Sequence, residues 1–295
     1  MTDTICITGA SGKLGRAVIE HLLGEQKVAP GRLIAGSRSP EKLAELAARG
    51  VATRKADFDD QAGLEKAFAG VGTLLIISTD ALDGAGTRLR QHKAAVAAAS
   101  AAGVKRIAYT SLPAADTSKV SFAPDHFGTE QAIQATGLPY LIFRNSWYAE
   151  NLLMSLPQAL TSGKWYTSAG AGKTAFVARD DIAAAIAAAL ANPPAQSTVW
   201  TLTGAEALTN GEIAALAADV LGRTTEVVDL TDDQLAGGMK AAGVPEPFIP
   251  TLVSFDAAAR AGNLAMITAD VETLSGRQPR SLRDWLTANK AAFAA

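Results

Sequence analysis

The sequence contains little of several features that would mark particular classes of protein. Cys6 is the only cysteine in 295 residues, which excludes an intramolecular disulfide and a multi-cysteine metal site. The 27 basic and 29 acidic side chains nearly cancel, so a nucleic-acid footprint or a polybasic membrane face has no support. The longest apolar stretch, "IAAAIAAALA" at 182–191, is well short of the roughly 18 residues that a membrane span needs.

Other signals that would change the class of protein are also missing. Met1 leads within a few residues into an apolar strand pattern, without a basic leader or a small-residue cleavage site. The three histidines, His21, His92 and His126, fall on separate predicted elements without ligand spacing, so no metal is expected. We therefore expect a soluble cytoplasmic protein that binds neither nucleic acid nor membrane, and a homo-oligomer stays open.

Short β-rich apolar runs alternate with amphipathic segments through the first half of the chain. These runs lie at 4–8, 32–37, 51–56, 73–78, 105–111 and 140–145. Strands that are apolar on both faces, each followed by a helical pattern, predict a parallel sheet covered on both sides. The sequence therefore predicts an α/β fold, a Rossmann-like doubly wound parallel sheet with a smaller, mostly helical C-terminal part.

The regular alternation ends after Asn145. Helical patterns then dominate, with capping boxes at Thr209 and Thr231 and one more strand pattern at 199–204. We expect an NAD(P)-binding Rossmann domain over 1–148. A smaller, substrate-covering part is expected over 149–295, with 176–204 returning to the Rossmann core.

A glycine loop, "ITGASGKLGRAVIEHLL", joins the first strand to the first helix. In dinucleotide-binding folds, one glycine permits a tight turn, another lets the backbone approach a pyrophosphate, and a third lets helix and strand pack closely. The phosphates would meet the positive end of the helix that starts near Leu14. A purely structural turn is the alternative. The expected cofactor-binding residues of the loop are Thr8, Gly9, Ala10, Ser11, Gly12, Lys13, Leu14 and Gly15.

The end of the second strand indicates which dinucleotide is bound. An NAD site usually has a carboxylate there, whereas this strand ends in "AGSRSP". Arg38 offers a planar cationic fork for a ribose phosphate, and Lys13 could add charge nearby. We therefore expect NADPH in preference to NADH. A solvated surface position is the alternative for Arg38.

The ends of the third and fourth strands supply further expected cofactor contacts. Asp57 and Phe58 follow the third strand, where an adenine ring would be flanked. Ser78 and Thr79 end the fourth strand pattern, where ribose and nicotinamide should pass the carboxyl edge of the sheet.

Several motifs resemble a known family. "TGASGKLG" and "AYTS" resemble the short-chain dehydrogenase/reductase superfamily, in particular its atypical NmrA-like branch. "GVKRIAYTSLPAADTS", "DHFGTEQAI", "LIFRNSWYAEN" and "ARDDIAAA" are most similar to bacterial NAD(P)H:quinone oxidoreductases of the QOR2 type. Triphenylmethane-dye reductases are similar over the same span and share the look of "GVPEPF". The resemblance covers essentially the whole chain and implies nicotinamide-dependent hydride transfer.

The resemblance also exposes a missing pair of residues. In typical members of the superfamily, a Tyr-x-x-x-Lys pair supplies the proton for carbonyl reduction and a serine on the preceding strand orients the substrate. Here Ser111 matches the serine, but His126 and Glu130 hold the positions of the pair. A glutamate has the wrong charge to replace the lysine, so ordinary ketone reduction is not expected. A quinone fits better. Its ring becomes aromatic when it accepts hydride, and the resulting hydroquinone anion can take a proton from water.

By resemblance, the residues after the sixth strand face the reacting ring. Asn145 would anchor an amide or quinone oxygen, and Trp147 and Tyr148 would wall the substrate, with core packing as the alternative for the aromatic rings. His126 is either a proton or hydrogen-bond donor or a packed residue at a helix start. The expected catalytic residues are Asn145, His126 and Tyr148, the substrate-binding residues are Ser111, Trp147 and Tyr148, and the further cofactor contacts are Phe143, Asn145, Trp147 and Arg179. An exposed charge at a helix start is the alternative for Arg179.

Two classes of function are consistent with these features. The first is an enzyme that transfers hydride from NADPH to a quinone or a similar delocalised acceptor. The second is an NmrA-like redox sensor that binds NADP(H) and regulates a partner without turnover. The stretch "RNSWY" favours the enzyme, since a sensor needs no aromatic wall beside the nicotinamide. A triphenylmethane-dye reductase would share the hydride step and differ in the shape of its pocket.

Overall fold

The structure, a computed structural model, describes residues 4–83 and 86–293, so Met1 lies outside the described residues. Every strand predicted from an apolar run is present, and four short strands are added in the second half. The strands are β1 (Ile5–Ile7), β2 (Leu33–Ser37), β3 (Ala52–Lys55), β4 (Thr73–Ile76), β5 (Arg106–Ser111), β6 (Tyr140–Asn145), β7 (Lys164–Thr167), β8 (Lys173–Thr174), β9 (Thr198–Leu202), β10 (Leu208–Thr209) and β11 (Glu226–Asp229).

Helices follow most of these strands, as an α/β fold requires. The α-helices are α1 (Lys13–Leu23), α2 (Ala44–Ala48), α3 (Gln61–Phe68), α4 (Thr87–Ala101), α5 (Ala123–Ala135), α6 (Leu156–Ser162), α7 (Arg179–Ala191), α8 (Asn210–Leu221), α9 (Asp232–Ala241), α10 (Ile249–Arg260), α11 (Asp270–Ser275) and α12 (Leu282–Ala288). Across the described ranges, no helix combines the length and the apolar character that crossing a bilayer requires.

Seven strands form the main sheet in the order β3-β2-β1-β4-β5-β6-β9. The pairs from β3 to β6 are parallel, and β1, whose three residues are all buried, lies between β2 and β4. The strand order reverses between β1 and β4, and ligands of doubly wound sheets bind at the carboxyl ends of the strands beside such a point. The predicted fold class is confirmed.

Contacts divide the chain into two units that interleave along the sequence. The first consists of Met1–Leu112, Asp125–Arg144 and Ile182–Trp200, and the second of Pro113–Pro124, Asn145–Asp181 and Thr201–Ala295. The first unit has an apolar core on one face of the sheet, and Tyr109 and Phe68 are fully buried in it. The second unit has a core of its own around Trp165 and Trp285. The role of the second unit as a cover for a substrate stays a prediction.

The second unit contains both predicted capping boxes. The Thr209 side chain accepts from the Glu212 N–H, and the Glu212 side chain accepts from the Thr209 N–H. Thr231 and Gln234 make the same reciprocal pair at the start of α9. These bonds satisfy amides that a helix start leaves without partners, which is why α8 and α9 begin where the sequence predicts.

Gly204 marks a place where two backbones of the second unit approach too closely for a side chain. A Cβ at Gly204 would lie 1.9 Å from the carbonyl oxygen of Phe176, so we expect Gly204→Ala to lower the free energy of unfolding by about 2 kcal/mol or more. Gly237, inside α9, has open space around it, and Gly237→Ala should raise stability by about 0.5–1 kcal/mol. Urea denaturation of both variants measures the difference, and equal effects would contradict the close approach.

Candidate functional site

The glycine loop forms a tight turn that leads directly into α1. Gly9 has a left-handed φ of +60°, which favours glycine, and the Gly12 N–H donates to the Gly9 carbonyl oxygen at 2.9 Å. Gly12 is the N-cap of α1 and provides no side chain to accept from the first amides of the helix. Gly9, Ser11 and Gly12 are exposed. The turn therefore presents backbone donors and the positive helix end to an anion from solvent.

Gly15 has the packing role that the sequence predicted for a third glycine. A Cβ there would lie 2.5 Å from the Gly9 carbonyl oxygen and 2.9 Å from the Ala10 Cα, so only a glycine lets α1 approach the turn. The Thr8 hydroxyl donates to the Leu75 carbonyl oxygen at 3.1 Å and thereby ties β1 to β4. Since Thr8, Ala10 and Leu14 are buried, the groups of the loop that face solvent are Gly9, Ser11, Gly12 and Lys13.

The end of β2 leaves a cationic side chain in reach of solvent. The Arg38 side chain is 68% exposed and lies 3.8 Å from Asp80, whose side chain is 90% exposed. Such an ion pair contributes little to stability in water, so Arg38 is available to a stronger anion. Ser37 is buried, and its hydroxyl lies 2.9 Å from the Ser11 hydroxyl, which joins the end of β2 to the glycine turn.

The residues after β3 are arranged mainly by internal contacts. Asp57 is half-buried and its carboxylate accepts from the Asp59 N–H at 3.2 Å, whereas the Phe58 ring belongs to the apolar core with Leu64. Asp60 caps α3 by accepting from the Gly63 N–H at 3.0 Å. Of the two residues expected beside an adenine, Asp57 keeps a partly exposed side chain, whereas Phe58 is buried in the core.

His126 lies in the first unit and is 3% exposed, with hydrogen bonds at both ring nitrogens. Its Nε2 lies 2.9 Å from Nη2 of Arg88, on α4. Its Nδ1 lies 2.7 Å from the hydroxyl of Tyr109, on β5. The histidine that stands where a catalytic tyrosine was expected is therefore held by side chains of the protein itself.

The same network reaches the main chain of Thr79 through a second buried histidine. Nε2 of His92 accepts from the Thr79 N–H at 3.0 Å, and Nδ1 of His92 lies 3.0 Å from the Thr129 hydroxyl. That hydroxyl donates to the carbonyl oxygen of Asp125 at 2.6 Å. Arg88 also donates, through Nη1, to the carbonyl oxygen of Thr79.

The direction of each bond fixes the protonation state of both imidazoles. A guanidinium and a backbone N–H can only donate, so Nε2 of each histidine must accept. A neutral imidazole with an accepting Nε2 carries its proton on Nδ1. We therefore assign Nδ1–H as donor from His126 to the Tyr109 oxygen and from His92 to the Thr129 oxygen. Every ring nitrogen has a partner while both histidines are neutral.

The electrostatics of the network favour the same neutral state. Burial, and then Arg88 and His92, lower the pKa of His126 well below its ordinary value of 6.5. Burial and Arg88 lower the pKa of His92 to about 3, and burial raises the pKa of Tyr109 above its ordinary value of 10. None of these groups changes charge near neutral pH, which favours the packed alternative for His126.

Glu130 belongs to a separate buried network. Its carboxylate, 2% exposed, accepts from the Ser111 hydroxyl at 2.6 Å and from Arg144 at 3.0 and 2.7 Å. Ser111 and Arg144 face each other in the register of β5 and β6, and Glu130 reaches both from α5. The Ser111 hydroxyl therefore donates its hydrogen bond to Glu130, at the position where the sequence predicted a substrate contact.

The stretch after β6, in the second unit, is rich in aromatic rings. Asn145 is 6% exposed, its Nδ2 lies 3.4 Å from the Tyr148 hydroxyl, and its Oδ1 is buried without a hydrogen-bond partner in the described chain. An unsatisfied buried amide oxygen costs about 1–3 kcal/mol, which a ligand donor that reached it would recover. The Arg179 guanidinium lies 5.2 Å from the centre of the Tyr148 ring.

Trp147 packs against aromatic side chains that the sequence did not single out. Its ring meets Phe255, on α10, edge to face at 4.6 Å, and Phe255 meets Phe122 at 6.1 Å. In the first unit, Phe143 is fully buried within β6 and stacks on Trp200 at 5.5 Å. Phe143 is thus a core residue, and its role as a cofactor contact stays a prediction.

Sequence reasoning missed Arg88, His92 and Tyr109 as parts of the site. Arg88 and His92 share a face of α4 by their spacing of four, as do His126 and Glu130 on α5, and that spacing was the available signal. The rings of His92 and His126 are 6.3 Å apart between centroids, although their sequence spacing gave no hint of contact. Within the described ranges, no group of three or more histidine, cysteine or acidic side chains is arranged to hold a metal ion.

The NmrA-like family matches residues 1–282. The chain belongs to this family. Quinone oxidoreductase 2 of Escherichia coli K12 is 38% identical over 280 residues, which cover 95% of this chain and 96% of that protein. These matches confirm the resemblance on which the sequence expectations rest.

Two solved structures of reductases superpose on nearly the whole chain. The E. coli NADPH-dependent quinone oxidoreductase QOR2 in complex with NADPH has a TM-score of 0.91 at 37% identity, over 97% of this chain and 99% of that chain. The triphenylmethane reductase of Citrobacter sp. in complex with NADP(H) has a TM-score of 0.90 at 34% identity, over 98% and 100%.

The two buried histidines should make the protein less stable in acid. The unfolded chain binds a proton at His92 near pH 6.5, whereas the folded protein keeps this pKa at about 3. The free energy of unfolding should therefore fall as pH drops below about 6.5. The slope should approach about 1.4 kcal/mol per pH unit for each histidine. Urea denaturation between about pH 6.5 and 5 measures the slope. His92→Gln should reduce it by the share of one histidine, and an unchanged slope would contradict a neutral buried His92.

Proposed function

We propose that this protein is an NADPH-dependent reductase that transfers hydride to a quinone or a similar delocalised acceptor. The observation that carries the proposal is that both ring nitrogens of His126, which occupies the place of a proton donor, are engaged by side chains of the protein itself. An acceptor that needs no positioned acid is therefore the suitable substrate. Two proteins similar to this chain, the quinone oxidoreductase and the triphenylmethane reductase described above, carry names that state acceptors of this kind.

The cofactor would lie along the carboxyl ends of β1, β2 and β4. The exposed glycine turn and the first amides of α1 would bind the pyrophosphate, because the turn faces solvent at the positive end of α1. Arg38 would bind the ribose phosphate that distinguishes NADPH from NADH, with NADH as the poorer cofactor. When bound, NADPH supplies the hydride, and the protein supplies binding and orientation.

The acceptor would be held by the last residue of β6 and the residues that follow it. We propose that Asn145 anchors an oxygen of the ring or the nicotinamide amide, and that Trp147 and Tyr148 provide flat apolar surface for it. Asn145 supports this role because its buried Oδ1 lacks a partner in the described chain. Ser111 is a weaker substrate contact, since its proton is engaged by Glu130. A cytoplasmic location and a substrate-covering second unit are further parts of this proposal.

The proposal is tested by following NADPH absorbance with benzoquinone as acceptor. We expect consumption well above the uncatalysed background. Because the pKa of His126 is held well below 6.5, kcat should be nearly constant between about pH 6 and 8. A rate that rises tenfold or more towards acid over about two pH units would indicate a general acid in the reaction. NADPH binding without consumption of NADPH would instead support the sensor, and turnover only with triphenylmethane dyes would support the dye reductase.

Arg38 should determine the choice of cofactor. We expect Arg38→Ala to weaken NADPH binding about tenfold to a hundredfold, because it removes charge-assisted bonds to the ribose phosphate, and to change NADH binding little. Lys42→Ala, at a nearby exposed cation, is the matched control and should alter neither affinity. Calorimetric titration with both nucleotides measures the ratio, and equal losses for NADPH and NADH would refute the role of Arg38.

A further inference from the structure

We propose that Arg88, His92, Tyr109 and His126 form a positioning network that fixes the main chain of Thr79 for the cofactor. The inference rests on the proposed function, because it assigns the network to the cofactor site of that reductase. It gives His126 a use at the position of the missing tyrosine. In place of a proton donor, the chain has a buried set of polar side chains that hydrogen-bond the main chain of Thr79, in the segment after β4.

Thr79 is held at both of its main-chain polar groups by side chains of α4. Strand β4 ends at Ile76, so Thr79 lies beyond the ladder that would otherwise satisfy its backbone. His92 accepts from its N–H at 3.0 Å, and Arg88 donates to its carbonyl oxygen. The Thr79 hydroxyl, in contrast, is buried without a hydrogen-bond partner in the described chain. The segment is therefore held through its backbone, from one helix.

His126 and Tyr109 position Arg88 and His92, which in turn hold the main chain of Thr79. The guanidinium of Arg88 is planar and rigid, and it bonds Thr79 through Nη1 and His126 through Nη2 at 2.9 Å. Fixing the His126 ring therefore fixes the direction of the bond to Thr79. The Tyr109 hydroxyl lies 2.7 Å from Nδ1 of His126 and 3.2 Å from Nδ1 of His92, so it links His92 to His126 and, through His126, to Arg88.

A merely structural role would not require such polar groups. Arg88 is 7% exposed and His92, Tyr109 and His126 at most 3%, and burying a charge, two imidazoles and a phenol is costly compared with burying apolar side chains. Hydrogen bonds at all four ring nitrogens of His92 and His126 do, however, specify one arrangement where an apolar core allows several. The residue that this network fixes, Thr79, follows β4. The strand order reverses between β1 and β4, which is where ligands bind in doubly wound sheets.

Two substitutions at His92 separate the hydrogen bond from the bulk of the ring. In His92→Gln the amide oxygen can take the place of Nε2 and accept from the Thr79 N–H, whereas His92→Leu offers no acceptor. In protein without cofactor, we expect exchange of the Thr79 amide hydrogen to be about a hundredfold faster in His92→Leu than in His92→Gln. The dissociation constant for NADPH should rise about tenfold in His92→Leu and less than about threefold in His92→Gln.

Ile133→Ala is the control for a general loss of stability. Ile133 is fully buried in the same core on α5 and has no polar contact with Thr79, so its truncation should lower Tm and leave NADPH affinity unchanged. If His92→Leu fails to fold, Tyr109→Phe provides the same test by removing one oxygen. Its dissociation constant for NADPH should rise about fivefold.

The possible outcomes separate a failure of the positioning network from a failure of the proposed reductase function. If the unsubstituted protein does not bind NADPH, the proposed function fails, while amide exchange at Thr79 still reports whether the network holds the segment. If His92→Leu loses stability and keeps its NADPH affinity, as expected for Ile133→Ala, the network is only structural and the inference is overturned. Equal losses of affinity in His92→Leu and His92→Gln would also overturn it, because the acceptor at Thr79 would then be irrelevant.

Discussion

The hydrogen bond from Arg88 to Nε2 of His126 is the constraint on which the rest of the site depends. An arginine cannot accept, so Nε2 of His126 must accept and cannot carry a second proton while this bond is made. The proton that remains, on Nδ1, points to the Tyr109 hydroxyl at 2.7 Å. A residue that could have been an acid is therefore a neutral member of a buried network, and burial keeps it so.

This constraint narrows the chemistry available at the carboxyl edge of the sheet. Glu130 stands where a lysine would support a catalytic tyrosine, and it is bound by Ser111 and Arg144 instead. Because both positions are committed to internal bonds, we propose that the protein orients the hydride acceptor and does not protonate it. A quinone needs no more than that, since its reduced form takes a proton from water. The missing tyrosine and lysine thus follow from the kind of substrate proposed.

The sequence was informative wherever a feature depended on neighbouring residues. Local patterns were sufficient for the glycine turn, the strands from β1 to β6, and the capping boxes at Thr209 and Thr231. The short strands β7 and β11 were missed because they pair across more than fifty residues and have little hydrophobic pattern of their own. The network around His126 was missed for the same reason, since its partners come from 17 and 38 residues away, on β5 and α4. Only the fold brings them together.

The protonation state of His126 in the folded protein is the most direct test of this account. Nitrogen NMR of the side chains is tractable, because the sequence contains three histidines in all. The account predicts a neutral His126 ring with the proton on Nδ1 at neutral pH, and no titration of that ring near the ordinary histidine pKa of 6.5, both without and with bound NADP. A His126 ring that carries its proton on Nε2, or that titrates near neutral pH, would contradict it.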